Sequence, residues 1–350
     1  MSVDQGNESE SPSSAAELAR VLGVSAASVS YALNGRPGVS ADLRKKILES
    51  AAAHGIPVAA AACSDVQPVV GLVLADVSNP FYSEIAVTVT DAAREHGFEV
   101  FVSHTFDQQD AVAGAVSALI RHGVDGVLLT AIHEGTAELF GALRAARIPC
   151  VQISRHMRHA KADFVGIDDA VASAELMGHV LDHGYTKVAL VTGPQSSSAS
   201  QSRATAFREV MHRRGILLPR EWNITAGLNE ADGARAARHL LSLPRLPHAV
   251  VCGNDAAALG LITALSIRGV RIPHDIAVTG FDGLTTARAN LVDLTTIVQP
   301  RREMAVQAMK LLVERRKHWN GPVQSIICPH YIHIGQSCGC VTQPMEELDS

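Results

Sequence analysis

AAELARVLGVSAASVSYALN, residues 15–34, holds two short helical patterns with a turn between them. Ser14 precedes the first and Glu17 follows three residues on, a capping-box spacing that satisfies two orphan N–H groups reciprocally. Leu18 and Leu22 lie on one face, and Gly23 supplies the turn. Ser25 is a good N-cap for the second helix, which turns Val29 and Leu33 inward and ends at Asn34-Gly35. Ala19 is small where the two helices would cross closely. A third pattern starts after Ser40, places Leu43, Ile47 and Leu48 on one face, and ends near His54-Gly55, with Pro57 blocking continuation. This is helix-turn-helix spacing. The outward face of the second helix offers Ser25, Ala26, Ala27, Ser28, Ser30 and Tyr31. Small and hydroxyl-bearing side chains let a helix lie deep in a major groove and bond phosphates. The same spacing also suits a three-helix cap with no nucleic-acid role.

Outward from this stretch the chain changes character twice. Residues 1–12 are acidic and Ser-rich without periodicity, and read as a disordered tail. Pro57 to Gln67 is a small-residue connector, rich in Ala, that is too short to hold a helix alone. From Pro68 onward, apolar runs alternate with amphipathic segments. The runs are Val69–Leu74, Glu99–Ser103, Gly126–Thr130, Cys150–Ser154, Val188–Thr192, Ala249–Cys252 and Ile276–Thr279. Continuous apolar runs fit strands covered on both faces, and the alternation implies parallel sheets. About ten strands are too many for one sheet, so two doubly wound α/β lobes are expected after the small all-α domain.

Composition narrows the function. At 47% hydrophobic the 350-residue chain is not disordered, and with 4% aromatics its core must be aliphatic. There is no apolar run of about 18 residues to span a membrane. The N-terminus carries Asp4, Glu8 and Glu10 but no basic residue, unlike a secretory signal, so a cytoplasmic protein is expected. The net charge of −5 excludes a non-specific nucleic-acid coat, though not one small reading module on an acidic body. From Pro12 to Pro57 five basic residues (Arg20, Arg36, Arg44, Lys45, Lys46) face three acidic ones (Glu17, Asp42, Glu49), a net +2. One such module binds weakly; two in a dimer match a two-fold operator.

Ligands of doubly wound sheets bind beyond the carboxyl ends of the strands. Asp76 and Asn79 follow the first run, Arg155 follows Cys150–Ser154, Asn254 and Asp255 follow Ala249–Cys252, and Asp282 follows Ile276–Gly280. Arg203 opens a helical region, Gln299 sits near a crossover, and Phe81 offers a ring to stack on a sugar or base. Asp282 and Arg203 suit charge-assisted bonds to hydroxyls. Competing readings are plain: Asn254 and Asp255 as helix caps, Asp76 as a turn residue, Arg155 in a solvated loop. No Gly-x-Gly-x-x-Gly, phosphate loop, His-Glu-x-x-His or Gly-x-Ser-x-Gly appears, so an enzyme is not expected and no catalytic residue or cofactor is assigned. The six cysteines (63, 150, 252, 328, 338, 340) are scattered, unlike a disulfide framework. Cys338-Gly-Cys340 spells half a metal site or a redox pair, but is read as flexible tail, with no metal assigned. His96, His122 and His183 precede glycines and read as helix-end residues favoured by the dipole.

Together these stretches resemble the lactose-repressor (LacI) family of bacterial regulators. The resemblance is carried by Gly23-Val-Ser-Ala-Ala-Ser-Val-Ser-Tyr-Ala-Leu-Asn-Gly35, Val39-Ser40, Asn79-Pro-Phe-Tyr82, Gly253-Asn-Asp255, Gly280-Phe-Asp-Gly283 and Thr296-Ile-Val-Gln-Pro300. It implies a headpiece (13–57), a hinge (58–67), a two-lobed periplasmic-binding-protein-like core (68–337) and a tail (338–350). Within the core it implies an N-lobe of about 68–166 with 297–325 and a C-lobe of about 167–296 with 326–337. It implies that Ala26, Ala27 and Tyr31 read bases and that Ser14, Ser25, Ser30, Asn34 and Ser40 touch the DNA backbone. It implies that Phe81, Arg155, Arg203, Asp282 and Gln299 line a pocket for a small polar effector, most often a sugar. The expected protein is a homodimer or dimer of dimers, commonly a repressor. A body that docks a protein co-regulator instead, or an uptake protein for a solute, are the alternatives. The connector departs from the family's Pro-Asn-x-x-Ala-Arg-x-Leu hinge: Pro57, Val58, Ala61, Ala62 and Ser64 stand there, without Asn, Arg or the Leu that wedges the minor groove.

Overall fold

The computed structural model describes residues 14–34, 39–56, 58, 67–133, 137–157, 159–289 and 291–340. The chain forms two units, Met1–Gln67 and Pro68–Ser350. The tail expected at 1–12 and nearly all of the expected hinge, with Ala61, Ala62 and Ser64, lie outside the described residues, as does the tail beyond 340.

In the first unit, Ser14 accepts the Glu17 N–H and opens α1 (Ala15–Leu22). Gly23 ends it with φ 65, the left-handed turn that glycine adopts without strain. Ser25 caps α2 (Ala26–Leu33) by accepting the Ser28 N–H at 3.0 Å, and α3 (Ala41–Ala53) follows. Leu18, Ala19, Val29, Ala32, Leu33, Ile47, Ala51 and Ile56 are buried together. Leu22, Leu43 and Leu48, expected inside, are only partly covered and pack at its margin.

The second unit is two six-stranded sheets with helices. The N-lobe begins β1 (Val69–Leu74), α4 (Pro80–Glu95), β2 (Glu99–His104), α5 (Gln109–Arg121), β3 (Gly126–Leu129), α6 (Ala137–Ala145), β4 (Cys150–Ile153) and β5 (Asp163–Gly166). The chain then crosses to the C-lobe: α7 (Asp169–Asp182), β6 (Val188–Thr192), α8 (Ser198–Arg213), β7 (Asn223–Thr225), α9 (Glu230–Ser242), β8 (Ala249–Cys252), α10 (Asp255–Ile267), β9 (Ala277–Asp282) and β10 (Thr295–Val298). It returns for α11 (Arg301–Lys317) and β11 (Ser325–Ile327), and ends with β12 (Tyr331–His333) back in the C-lobe. The sheet orders are β11-β5-β4-β3-β1-β2 and β12-β10-β9-β8-β6-β7. All pairings are parallel except β12 with β10.

Two expectations are corrected. β2 is not covered on both faces: it is the edge of its sheet, and Phe101 and Val102 are half exposed. The lobe boundaries also move. Thr295–Val298 is wholly in the C-lobe sheet and Ser325–Ile327 in the N-lobe sheet, so the second and third crossovers fall about two residues later, while the first follows Gly166. The strands that periodicity missed are short: Asp163–Gly166, Asn223–Thr225, Thr295–Val298, Ser325–Ile327 and Tyr331–His333. Three residues do not establish a period, and the two four-residue strands carry Asp163, Thr295 and Thr296 where the strands that were found are continuous apolar runs.

Close packing fixes the C-lobe. A Cβ on Gly233 would run into the Ala257 carbonyl, and one on Gly260 into that of Glu230. Backbone contact at both crossing points therefore locks α9 against α10. No helix among the described residues is long and apolar enough to cross a membrane.

Candidate functional site

On α2 the cap leaves a continuous outward face. Ser25, Ala26, Ala27, Ser30, Tyr31 and Asn34 are exposed, and Ser28 is half-buried. The Ser25 and Ser28 hydroxyls are 2.8 Å apart, and the Asn34 amide donates to the Ser30 carbonyl at 2.8 Å. Ser14 and Ser40, the N-caps of the flanking helices, are exposed as well. Tyr31 is the one aromatic on this face, 41% exposed on a helix whose other side is fully buried.

In the core, the residues named from sequence divide into two groups. One group is already occupied by other parts of the protein. Asp76 accepts both the N–H and the hydroxyl of Ser78. Asn79 caps α4 through the Phe81 N–H. Asn254 caps α10 and donates to the Leu228 carbonyl. Asp255 accepts from Thr296 at 2.6 Å and from the Leu284 N–H at 2.7 Å. Asp76 matches the turn reading and Asn254 the cap reading, and Asn79 is a cap as well; Asp255 is not one, because its carboxylate is taken up by Thr296 of β10 and the Leu284 N–H beyond β9. Phe81 is buried, edge-to-face with Tyr82 at 5.3 Å, with little ring face left for a ligand.

The other group forms a buried polar cluster. Arg203 on α8 donates through Nε to Asp169 at 2.7 Å and through Nη1 to Asp282 at 3.0 Å and to the Gly253 carbonyl at 2.8 Å. Its guanidinium stacks on Phe281, 3.7 Å from the ring centroid. Gln299 donates to the same Asp282 oxygen at 2.7 Å. Asp282 holds φ at 116, a conformation that L-residues adopt only where the surroundings impose it. Across from it in the N-lobe, Arg155 pairs with Asp107 at 2.6 Å and lies 5.6 Å from the centre of the Tyr82 ring. Tyr82 joins the halves. Burial pushes its hydroxyl up to about 12, with Arg155 and Asp107 of its own lobe and Asp282 and Arg203 of the other acting on it. Burial raises Asp169 and Asp282 too, against the opposing pull of Arg203. Burial also disfavours the Asp107 charge, but His133 and Arg155 outweigh it and hold the carboxyl down at about 2.

Two buried atoms in this cluster have no hydrogen-bond partner: Arg155 Nη2, a donor, and Gln299 Oε1, an acceptor. A cavity of about 1200 Å³ opens between the lobes beside the cluster, with Gln152, His156, Asp169, Gln201 and Thr205 in its wall. Asp169, and His133 beside Asp107, belong to both the cavity wall and the cluster. The lobes are also tied on the C-lobe side of α4: Glu84 pairs with Arg301 at 2.6 Å and accepts the Thr285 N–H, while Arg301 donates to the carbonyls of Asp282 and Gly283.

Sequence reasoning missed Asp107, Tyr82, Asp169, Glu84 and Arg301. Tyr82 stood inside the quoted Asn79-Pro-Phe-Tyr82 stretch, next to the aromatic that was chosen. Asp169 follows an obvious cap, Asp168. Asp107 and Glu84 carry no local signal.

Residues 67–333 match the family model for periplasmic binding proteins and the sugar binding domain of the LacI family. The chain is 30% identical over 310 residues to the ribose operon repressor of Escherichia coli, covering 85% of this chain and 92% of that one. It is 27% identical over 322 residues to the HTH-type transcriptional repressor PurR of Glaesserella parasuis, covering 91% and 94%. A LacI-type transcription regulator from Bifidobacterium animalis superposes with a TM-score of 0.70 at 25% identity, over 77% of this chain and 99% of that one. The transcriptional regulator CelR in its cellobiose complex superposes with a TM-score of 0.69 at 24% identity, over 93% and 100%, a likeness of fold. With a helix-turn-helix unit ahead of two parallel-sheet lobes and the family model spanning most of its length, the chain belongs to the LacI family of transcriptional regulators.

Proposed function

We propose that α2 reads operator DNA and that the cluster between the lobes binds a neutral, hydroxyl-rich effector, a sugar or close derivative, which resets operator affinity. The observation that carries the effector reading is the unpartnered pair, Arg155 Nη2 and Gln299 Oε1, buried among charges that are already paired with one another. A buried polar group without a partner is costly, so such atoms mark where a ligand completes the network. One needs an acceptor and the other a donor, and a hydroxyl is both. Three carboxylates (Asp107, Asp169, Asp282) face two guanidiniums, which leaves no surplus positive charge for a phosphate. Two similar proteins point the same way: one is a ribose operon repressor, the other a transcriptional regulator in complex with cellobiose.

At the operator, Tyr31 is the directional reader, and Ala26 and Ala27 offer apolar contact to a thymine methyl. The serines and Asn34 fix the helix on the backbone. The protein works as a pair. β2 is an unpaired sheet edge carrying exposed Phe101 and Val102, with Val87 exposed on α4, and a bare apolar edge is a site for a second copy.

The experiment takes fragments from an unbiased genomic pull-down and titrates the full chain onto them by fluorescence anisotropy at fixed salt. The protein is screened in parallel by thermal shift against neutral sugars, sugar phosphates and nucleobases. A neutral sugar is expected to stabilise the fold as RT ln(1 + [L]/Kd) and to shift operator affinity by roughly 5–150-fold. Stabilisation by sugar phosphates alone would overturn the neutral-ligand assignment. No preference for any fragment, with and without ligands, would overturn the DNA reading.

A further inference from the structure

The C-terminal cysteines do not lie in a loose tail. Gln336–Cys338 forms a 3-10 turn in which Ser337 and Cys338 are fully buried. Ser337 donates to the Val278 carbonyl on β9 and accepts the Thr295 N–H of β10. Tyr185 donates to the Cys338 carbonyl at 3.0 Å. Gly339 then reverses the chain with φ 92, where a Cβ would press on the Tyr185 hydroxyl at 2.8 Å. This reversal brings Cys340 back beside Cys338. Facing them, His179 and His183 stand four apart at the C-terminal end of α7, one helical turn on one face.

We propose that His179, His183, Cys338 and Cys340 form a structural zinc-type metal site that clasps the C-terminal turn to α7. The two imidazole nitrogens and two sulfurs lie within 4.8 Å of one another. His179 Nε2 is 3.3 Å from Cys338 Sγ and 3.7 Å from Cys340 Sγ, and His183 Nε2 is 3.3 Å from Cys340 Sγ. Zinc bound tetrahedrally at about 2.3 Å from sulfur and 2.0–2.1 Å from nitrogen sets each N···S pair about 3.5 Å apart. Three of the four N···S separations are thus already at that length, and no pair among the four atoms is farther apart than 4.8 Å. Two thiolates and two neutral imidazoles also cancel the charge of a divalent ion, which suits a half-buried position.

The surroundings fit a ligand set held in place. The Thr295 hydroxyl donates to Cys338 Sγ at 3.0 Å, an outer hydrogen bond that favours the thiolate and fixes its direction. His183 stacks on Tyr185, with ring centroids 5.7 Å apart. All four ligands come from protein, leaving no open position, which marks a structural site rather than a catalytic one. The spacing, His-x-x-x-His and Cys-x-Cys separated by more than 150 residues, conceals the site from a reader of local motifs. His183 falls where a helix-end histidine is expected for another reason.

The test uses the full chain, purified with thiols reduced, loaded with zinc or cobalt and dialysed. One metal ion per chain is expected by elemental analysis. X-ray absorption should show two sulfur and two nitrogen ligands at about 2.3 and 2.0 Å. The cobalt form should show thiolate charge-transfer and tetrahedral d–d bands. Removing the metal with a chelator should lower Tm by about 5 °C or more, because binding energy at a structural site is folding energy. His183→Ala and Cys340→Ser, at the accessible half of the site, should keep the circular dichroism of the parent and lose the metal. The proposal is overturned if the reduced wild-type chain retains no metal after dialysis. It is equally overturned if the doubly substituted Cys338→Ser, Cys340→Ser chain keeps its metal, or if the two cysteines prove to be disulfide-bonded in the protein as isolated. The absorption spectrum of the wild-type chain decides the matter even where a variant misfolds.

Discussion

The DNA-facing helix and the cleft between the lobes present their chemistry in opposite ways. On α2 the candidate readers are exposed and share few partners, and each is supported by a small core behind it. In the cleft, Arg203 alone binds two carboxylates, a carbonyl and a ring face, and Asp282 is held by Arg203 and Gln299 at one oxygen. Exposed, separate groups act additively; groups in one buried network do not. The first arrangement lets sequence preference change one residue at a time. The second, under the binding mode proposed above, ties ligand occupancy to the position of both lobes, because the ligand would satisfy Arg155 from one and Gln299 from the other.

The sharpest way to break this contrast is Asp282→Ala. It strips Arg203 of one of two carboxylates and leaves Gln299 without an acceptor. Removing one member of a buried ion pair costs about 3–5 kcal/mol. Asp169 remains on Arg203, so the low end applies. The effector-driven change in operator affinity should vanish, while affinity without effector stays within about twofold, since α2 is untouched. Adding Arg203→Ala should cost little more. Anisotropy titrations with and without effector read the first two effects, and denaturant unfolding of the single and double variants reads the stability costs. A retained effector response, or two losses that simply sum, would place the cleft in the same additive class as the helix.

How much of this could be read beforehand follows the same division. The headpiece was legible because its signals are local: Ser14, Gly23 and Ser25 punctuate helices of eight residues, and the structure uses each as a cap or turn. The lobes were legible through their continuous apolar runs, four to six residues long. In the cleft, Gly280-Phe-Asp-Gly283 pointed to residues that the structure gathers around the buried cluster, each with a packing role. A side chain on Gly280 would collide with the Asp255 carboxylate, Phe281 lies under Arg203, Asp282 binds it, and a Cβ on Gly283 would strike Val298. What stayed hidden were the partners supplied from other segments, Asp107, Asp169 and Glu84, and the joining of two histidines on α7 to cysteines at the far end of the chain. Adjacency across the fold leaves no trace in spacing.

A second difference between the regions is their response to pH, and Asp255 carries it. Burial pushes its carboxyl up to about 8, with the neighbouring Asp282 adding to the effect. The unfolded chain releases this proton near pH 4. Between that value and 8 the folded state binds the extra proton, so stability is greatest at low pH and falls as pH rises. From pH 6 to 8 the core should lose about 2 kcal/mol, and thermal melts should shift down by several degrees. Asp255→Asn resembles the protonated form: its carbonyl accepts from Leu284 and its amide donates to Thr296. That variant should melt at nearly the same temperature across the range. A wild-type Tm that rises from pH 6 to 8, with a variant that follows it, would show Asp255 to be ionised throughout.

The smallest expected effect belongs to the exposed helix, and it tests whether a single side chain there discriminates sequence. Tyr31 projects from α2 between buried Val29 and Ala32, so truncation removes a contact to DNA without opening the core. One polar contact to a base edge is worth about 1 kcal/mol, at the lower end of what a two-bond contact gives. Tyr31→Ala should therefore weaken binding to the operator about fivefold to tenfold and leave affinity for random duplex nearly unchanged. The slope of log affinity against log salt should also hold, because no phosphate contact has been lost. Titrations on both duplexes at matched salt separate the outcomes. Equal weakening on both would mean that Tyr31 grips the backbone, and that preference arises instead from the apolar contacts of Ala26 and Ala27 or from the shape of the duplex.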